Sequence, residues 1–436
     1  MTRQPRSWNR FPVIEDQTIR VLYDRHAPIP RGHGTVIAHG NGRSYGDVCL
    51  NGGGTVLLTR QLDKFIDFDR TTGRLTCEPG VLLDEILALS VPAGWFLPVT
   101  PGTRFVTVGG AIANDVHGKN HHTAGSFGHH VRRLWLRRSD GAEINCGPTS
   151  QSDWFTATVG GLGLTGLITS VEIQLARIPG EWFQTRTSRF GALDEFFDLS
   201  TEADANWPYA AAWVDCDSAH GDRIRGIFFS GRHTEDQPPG RRTSSRNWRM
   251  PLDPPLSLIN GLTVKAFNRV YWHRQNTNSS TSLRHYAPFL FPLDNVFEWN
   301  RVYGPRGFLQ HQCVLPPADA KPALKALLAR IAASGQGSFL SVLKRFGDMR
   351  PAGMLSFARP GVTLALDFPM RGPSTLRLLD ELDSIVRDAG GAIYPAKDAR
   401  MSARTFREGF PGLESFSSFV DPNFSSSFWR RVWHGE

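Results

Sequence analysis

"VGGAIANDVHGKNHHTAGSFGHHV", residues 108–131, carries five of the chain's 14 histidines: His117, His121, His122, His129 and His130. Neutral imidazole is a frequent ligand of zinc, copper and iron, so the cluster first suggests a metal. A metal site needs two or three imidazoles converging with a carboxylate. His117 and His121 stand four apart, as on one helical face, but Gly118, Gly125 and Gly128 break any regular helix and no H-E-x-x-H occurs. No metal is expected. The apolar, glycine-marked first half fits a backbone lying close against a large ligand.

Two further glycine-marked stretches flank this one. "GNGRSYGD" (40–47) follows the apolar run "TVIAHG" and precedes "NGGG" (51–54), and "TVGGLGLTGLI" (158–168) leads into a strand. Clustered glycines let backbone N–H groups converge on phosphate or pyrophosphate without side-chain obstruction. The spacing is not G-x-G-x-x-G opening a long helix, and no acidic residue ends a second strand, which argues against a dinucleotide fold. Together the three stretches predict backbone wrapped around a large, flat, phosphate-bearing cofactor.

A chain of 436 residues is long for one core, so two domains are expected. No window approaches the roughly 20 apolar residues that span a bilayer. The opening "MTRQPRSWNRFPVIEDQTIR" lacks the apolar segment of a signal peptide, so a cytoplasmic protein is expected. Cys49, Cys77, Cys146, Cys216 and Cys313 form no C-x-x-C pair, and neither a disulfide framework nor zinc is suggested. The net charge of +8 is partly concentrated in "GRRTSSRNWRM" (240–250), with Arg241, Arg242, Arg246 and Arg249 in a Pro/Ser-rich loop setting. No nucleic-acid motif accompanies it, and no nucleic-acid partner is expected.

Between about 35 and 180 short strands alternate with glycine turns. "FIDFDRTTGRLTCEPG" and "HHVRRLWLRRSDGAEINCG" read as hairpins, and "VLLDEILALSVPAG" as a short helix with Leu82, Ile86 and Leu89 on one face. Later come longer strands such as "AAAWVDCD" and "RGIFFSG". The segment 255–274 reads as a mildly basic amphipathic helix. A helix with Leu324, Leu327, Leu328 and Ile331 inward and another in "STLRLLDELDSIVRDAGG" follow. The rhythm predicts α+β architecture with an antiparallel sheet in the second half.

"GNGRSYGD", "PGT", "VGGAIANDVHGKNHHTAGSFGHHV" and "GLGLTG" resemble the FAD-binding domain of the vanillyl-alcohol-oxidase superfamily. "YGPRGFLQHQCVLP" (303–316), "SFLSVLKRFGD" (338–348), "LDFPM" (366–370) and "GGAIYPAKDAR" (390–400) extend the resemblance, in order, to the decaprenylphosphoryl-ribose 2-oxidases within it. The likeness covers about residues 35–410, with 233–300 poorly matched. It implies a two-domain fold. Residues 1–178 would form the first part of the FAD domain and 392–436 would complete it, while 179–391 would form the substrate domain, with mobile loops near 233–300.

The resemblance also implies roles. Gly40, Asn41, Gly42, Arg43, Ser44, Tyr45 and Gly46 would cradle the FAD pyrophosphate. Gly102, Thr103, Thr107, Gly109, Gly110, Asn114 and His117 would line the flavin and ribityl chain, and Ile168 and Tyr394 would pack on it. His117, at the isoalloxazine, is expected to take part in catalysis. Many superfamily members carry a flavin-linking histidine in the first loop; Arg43 stands there, which implies non-covalent FAD. Lys397 is the candidate base, a role open to a lysine whose pKa is depressed, or else it pairs with the substrate phosphate. Tyr45, Lys119, Tyr303, Gln310, Gln312 and Lys344 match substrate-pocket positions, which suit a sugar phosphate. Trp213 walls the pocket or belongs to the core.

The sequence also departs from that family. Its active-site cysteine corresponds to Ala365 and its asparagine to Thr363, so no thiol nucleophile is required and the exact substrate is open. The reaction implied is oxidation of the 2-hydroxyl of a polyprenyl-phosphate-linked pentose to a 2-keto sugar. An NAD(P)H-dependent keto-reductase would complete the epimerisation. The rival is a sugar-lactone or alditol oxidase of the same superfamily. A lipid-linked sugar phosphate substrate would also favour peripheral association with the inner face of the membrane, with 255–274 and the basic loop before it as the groups concerned.

Overall fold

The computed structural model describes residues 4–30, 34–238, 248–275 and 279–435. The arginines at 241, 242 and 246 therefore lie outside the described residues. Three sheets carry the architecture, which is α+β. A small parallel sheet sets Thr18–Val21 and Val36–His39 on either side of Thr55–Leu58. A five-stranded antiparallel sheet runs in the order Phe65–Asp69, Arg74–Cys77, Leu167–Gln174, Val131–Arg137, Glu143–Cys146. Both expected hairpins are its arms.

The third sheet is eight-stranded, and every adjacent pair is antiparallel. Its order is Ser279–His285, Trp182–Ala192, Arg223–Thr234, Tyr209–Val214, Ser341–Phe346, Gly361–Pro369, Phe308–Leu315, Ala392–Ile393. The helices Leu193–Asn206, Ala320–Ser334 and Pro373–Asp388 back it. Leu324, Leu327, Leu328 and Ile331 are buried in one core with Leu343, Leu364, Leu366 and Leu382. Their 3.6-residue spacing is what a helix must show to cover a sheet with one face.

One helix face differs from the reading above. In Leu83–Ser90 the buried residues are Leu83, Ile86, Leu87 and Ser90. Leu82 is the extended N-cap residue, and its N–H donates to Glu85 Oε2 at 2.8 Å. A cap fixed by that glutamate starts the helix one residue later, which leaves Leu82 and Leu89 half-buried.

The C-terminal stretch closes back on the first strands. Val36 N–H donates to the Asn423 carbonyl at 2.7 Å and Ser427 N–H to the Leu50 carbonyl at 2.8 Å. Arg431 holds the buried Asp47 at 2.7 Å and Asp398 at 3.1 Å. Residues separated by most of the chain thus share one core.

Candidate active site

A cavity of about 600 Å³ opens where the three sheets meet. One end is walled by the loop 40–45 and by residues 100–110, the other by the inward face of the eight-stranded sheet. Its lining includes Gly40, Asn41, Gly42, Arg43, Ser44 and Tyr45 from the first glycine loop, with Gly102, Thr103, Thr107, Gly109, Gly110, Asn114 and His117 from the second. Ile168 and Tyr394 close its sides. Gly46 is turned away. At φ +77° it lets the chain pass the Asp398 carbonyl, which a Cβ would strike.

The glycines are required by close approach. A Cβ on Gly40 would collide with the Thr107 hydroxyl, and one on Gly109 would come within 2.8 Å of Pro79. Thr107 caps the helix Val108–Ala113, its hydroxyl accepting from Gly110 N–H at 3.2 Å, and Gly109 and Gly110 of the first turn line the cavity. Asn114 Oδ1 and Arg43 Nε are buried without a hydrogen-bond partner among the described residues. Buried polar groups are rarely left so, and each is a waiting contact for a polar ligand. This cradle fits FAD.

The histidine cluster resolves into one cavity residue and four structural ones. His122 and His130 bond the carbonyls of Trp207 and Ala124 at 2.9 and 2.8 Å, and His129 that of Arg350 at 3.0 Å. His121 Nδ1 accepts from Gly347 N–H. Among the described residues no three His, Cys, Asp or Glu side chains converge as metal ligands. His117 alone lines the cavity, and Gln312 Nε2 meets its Nε2 at 2.9 Å. Burial first, then the charges of Lys344, His121 and Lys397, pushes its pKa well down, so the ring is neutral. With Nε2 accepting from the amide, the proton sits on Nδ1, which is buried and has no hydrogen-bond partner among the described residues, a donor held for a ligand.

Three lysines reach the same space. Lys119 Nζ donates to the Leu290 carbonyl at 2.8 Å, Lys344 Nζ lies 3.4 Å from that of Gly118, and Lys397 Nζ sits 3.7 Å over the Tyr45 ring. None makes an ion pair among the described residues. Burial lowers Lys119 to about 8, and burial with the charges of Lys119 and Lys397 lowers Lys344 to about 7. Burial likewise lowers Lys397, to about 8, against the opposing pull of Asp367. A lysine in this range can give up its proton near neutrality.

The remaining pocket positions divide. Gln310, Gln312, Trp213 and Ala365 line the cavity, and Trp213 Nε1 is fixed by the Phe339 carbonyl at 3.0 Å. Tyr303 and Thr363 stand one layer behind. Tyr303 is fully buried and stacked on Phe308 at 4.2 Å, while Thr363 Oγ1 accepts from Gln312 Nε2 at 3.2 Å. Sequence reasoning missed Asp367. It is fully buried, accepts a short hydrogen bond from Gln310 and is the carboxylate whose charge Lys397 feels. Its signal was its place opposite Gln310, across the strand pair.

Comparison with known proteins accords with this geometry. Residues 29–147 match a family described as an FAD binding domain. The chain is 37% identical over 412 residues to the decaprenylphosphoryl-beta-D-ribose oxidase of Mycolicibacterium smegmatis, covering 91% of this chain and 89% of that one. It is 32% identical over 377 residues to an uncharacterized protein in the mprA 5' region of Streptomyces coelicolor, covering 81% of this chain and all of that one. Human Delta(24)-sterol reductase is 34% identical over only 98 residues, 22% of this chain and 19% of that one. The likeness to the oxidase covers most of both chains, and the protein is a member of the decaprenylphosphoryl-beta-D-ribose oxidase family, an FAD-dependent oxidoreductase.

Proposed function

We propose that the protein oxidises the 2-hydroxyl of a polyprenyl-phosphate-linked pentose to a 2-keto sugar. An NAD(P)H-dependent keto-reductase would complete the epimerisation. The observation that carries the reading is the group of three lysines that make no ion pair among the described residues, set in one cavity with a neutral histidine. Lys119 and Lys344, cations with no ion pair among the described residues, favour a phosphate-bearing substrate over a neutral polyol or lactone. FAD, when bound, supplies the acceptor for the hydride leaving the sugar C2.

The chain's own residues do the rest. Lys397, neutral at Nζ, takes the hydroxyl proton. Lys119 and Lys344 hold phosphate, Gln310 and Gln312 bond sugar hydroxyls, and the His117 Nδ1–H orients the reacting edge. We assign residues 1–178 and 392–436 to the cofactor half and 179–391 to the substrate half. The backbone hydrogen bonds from 396–427 to 36–50 support this, although the strand Ala392–Ile393 still pairs with the eight-stranded sheet. No described helix is long and apolar enough to cross a membrane. Association with the inner face is proposed as peripheral.

Anaerobic bleaching of the flavin on adding polyprenylphosphoryl ribose tests the reading. Bleaching by free alditols or lactones alone would transfer the assignment to the rival oxidases. Lys397→Ala should retain FAD and slow bleaching by roughly 10²–10⁴-fold; an unchanged rate would remove Lys397 as base. With Arg43 in the first loop, acid denaturation should release all the FAD into the supernatant. Yellow colour left on the precipitated chain would show a covalent bond.

A further inference from the structure

Large apolar side chains that face solvent are not spread over this molecule. Trp248, Leu252, Leu256, Leu258, Leu262, Phe267, Val270, Leu283 and Val296 are exposed within one segment, and only five others are exposed among all the described residues. Isolated exposed leucines need no explanation, but a cluster of this kind marks an interaction surface.

The helix Gly261–Arg274 organises the cluster. Its inner face is narrow: only Val264 and Asn268 are buried, and Asn268 Nδ2 is tied to Asp215 at 2.9 Å. Its outer face presents Leu262, Lys265, Arg269, Val270 and His273 at i, i+3, i+7, i+8 and i+11, with Leu262 82% and Val270 69% exposed. A face that is apolar and basic at once suits neither a dry protein core nor bulk water.

Charge identifies what it suits. From residue 254 to residue 293 the sequence has no Asp or Glu, while Lys265, Arg269, Arg274 and Arg284 fall inside that span. The acids at its borders are already engaged: Asp253 pairs with Arg10 at 2.8 Å, and the buried Asp294 accepts from Arg104 N–H at 2.9 Å. The same helix gives Phe267 and Tyr271 to the wall of the cavity, and Arg284 and Val296 join them there. The helix that carries the apolar, basic face thus also walls the active-site cavity.

We propose that this surface, centred on the outer face of Gly261–Arg274 with Leu252, Leu256 and Leu258 beside it, docks on an anionic bilayer. Leucine and valine enter the interfacial layer, the lysine and arginines meet lipid phosphate, and the cavity opens toward the membrane. This deepens the proposed function by naming the face and the lipid chemistry, but its test requires no substrate. A failure here would leave the oxidation reading untouched.

The test is co-sedimentation of the FAD-loaded full chain with vesicles of phosphatidylcholine alone or mixed with phosphatidylglycerol. The expected result is binding to the mixed vesicles, reduced at high salt. The double variant L262E/V270E and the charge reversal K265E/R269E should each weaken it. For the reversal the loss is at least on the order of 25-fold, about fivefold for each of the two cations lost, before the repulsion of the two added carboxylates. Both pairs point away from the cavity, so unchanged flavin absorbance and unchanged bleaching in detergent solution confirm that the variants are folded. No sedimentation of the wild type, equal binding by the variants, or binding indifferent to phosphatidylglycerol would each overturn the proposal.

Discussion

At the scale of single residues, the pair Lys397 and Asp367 governs the pH at which the site can work. Burial raises the Asp367 carboxyl, while Gln310 and Lys397 favour its charged form. That charge in turn favours the ammonium of Lys397. A base must be neutral to accept a proton, so kcat/KM should rise with pH through about 8. Asp367→Asn removes the charge that favours the ammonium, so Lys397 should lose its proton more easily. The rising limb should then move to lower pH by roughly one unit. A limb that stays in place would show that the carboxylate does not tune the lysine. His117 and the lysines were legible because each sits in a motif. Tyr303 and Thr363, assigned to the substrate pocket by resemblance, stand one layer behind the cavity, because a matched motif gives a position along the chain and not the depth of its side chain. Thr363 shares the face of Ala365, yet it ends against Gln312 instead of the cavity.

At the scale of elements, the first glycine loop and the lysine-bearing turn form one backbone unit. Tyr45 N–H donates to the Ala396 carbonyl at 2.8 Å, and Gly46 at φ +77° makes the approach to Asp398 possible. Gly46→Ala adds a strained φ, costing of order 1–3 kcal/mol, and a collision with the backbone. The purified variant should show reduced flavin absorbance near 450 nm, whereas Gly191→Ala, with nothing within 4 Å of its Cβ, should keep it. The short helices and hairpins were legible from periodicity and turn residues. The order of the eight-stranded sheet was not, because placing Ser279–His285 beside Trp182–Ala192 depends on long-range pairing that leaves no local mark.

At the scale of the whole molecule, Arg431 fastens the C-terminal helix Ser427–Trp433 to the cofactor half. It is a cation shared by two buried carboxylates, Asp47 and Asp398. Arg431→Ala would leave both without that partner, and removing one member of a buried pair costs about 3–5 kcal/mol. The melting temperature should fall, and FAD should be lost at a lower temperature than from the wild type. A melting curve equal to that of the wild type would show that the clasp is dispensable. The return of the chain to its first strands was legible only through family resemblance, since no local pattern links residues 36–52 with 423–431. It also sets the timing of biosynthesis. At 5–20 residues per second, the loop at 47 waits from about 20 seconds to over a minute for Arg431 to be made. Until then nothing clasps Asp47 to Asp398, so lasting uptake of the flavin should follow, and not accompany, synthesis of the C-terminal helix.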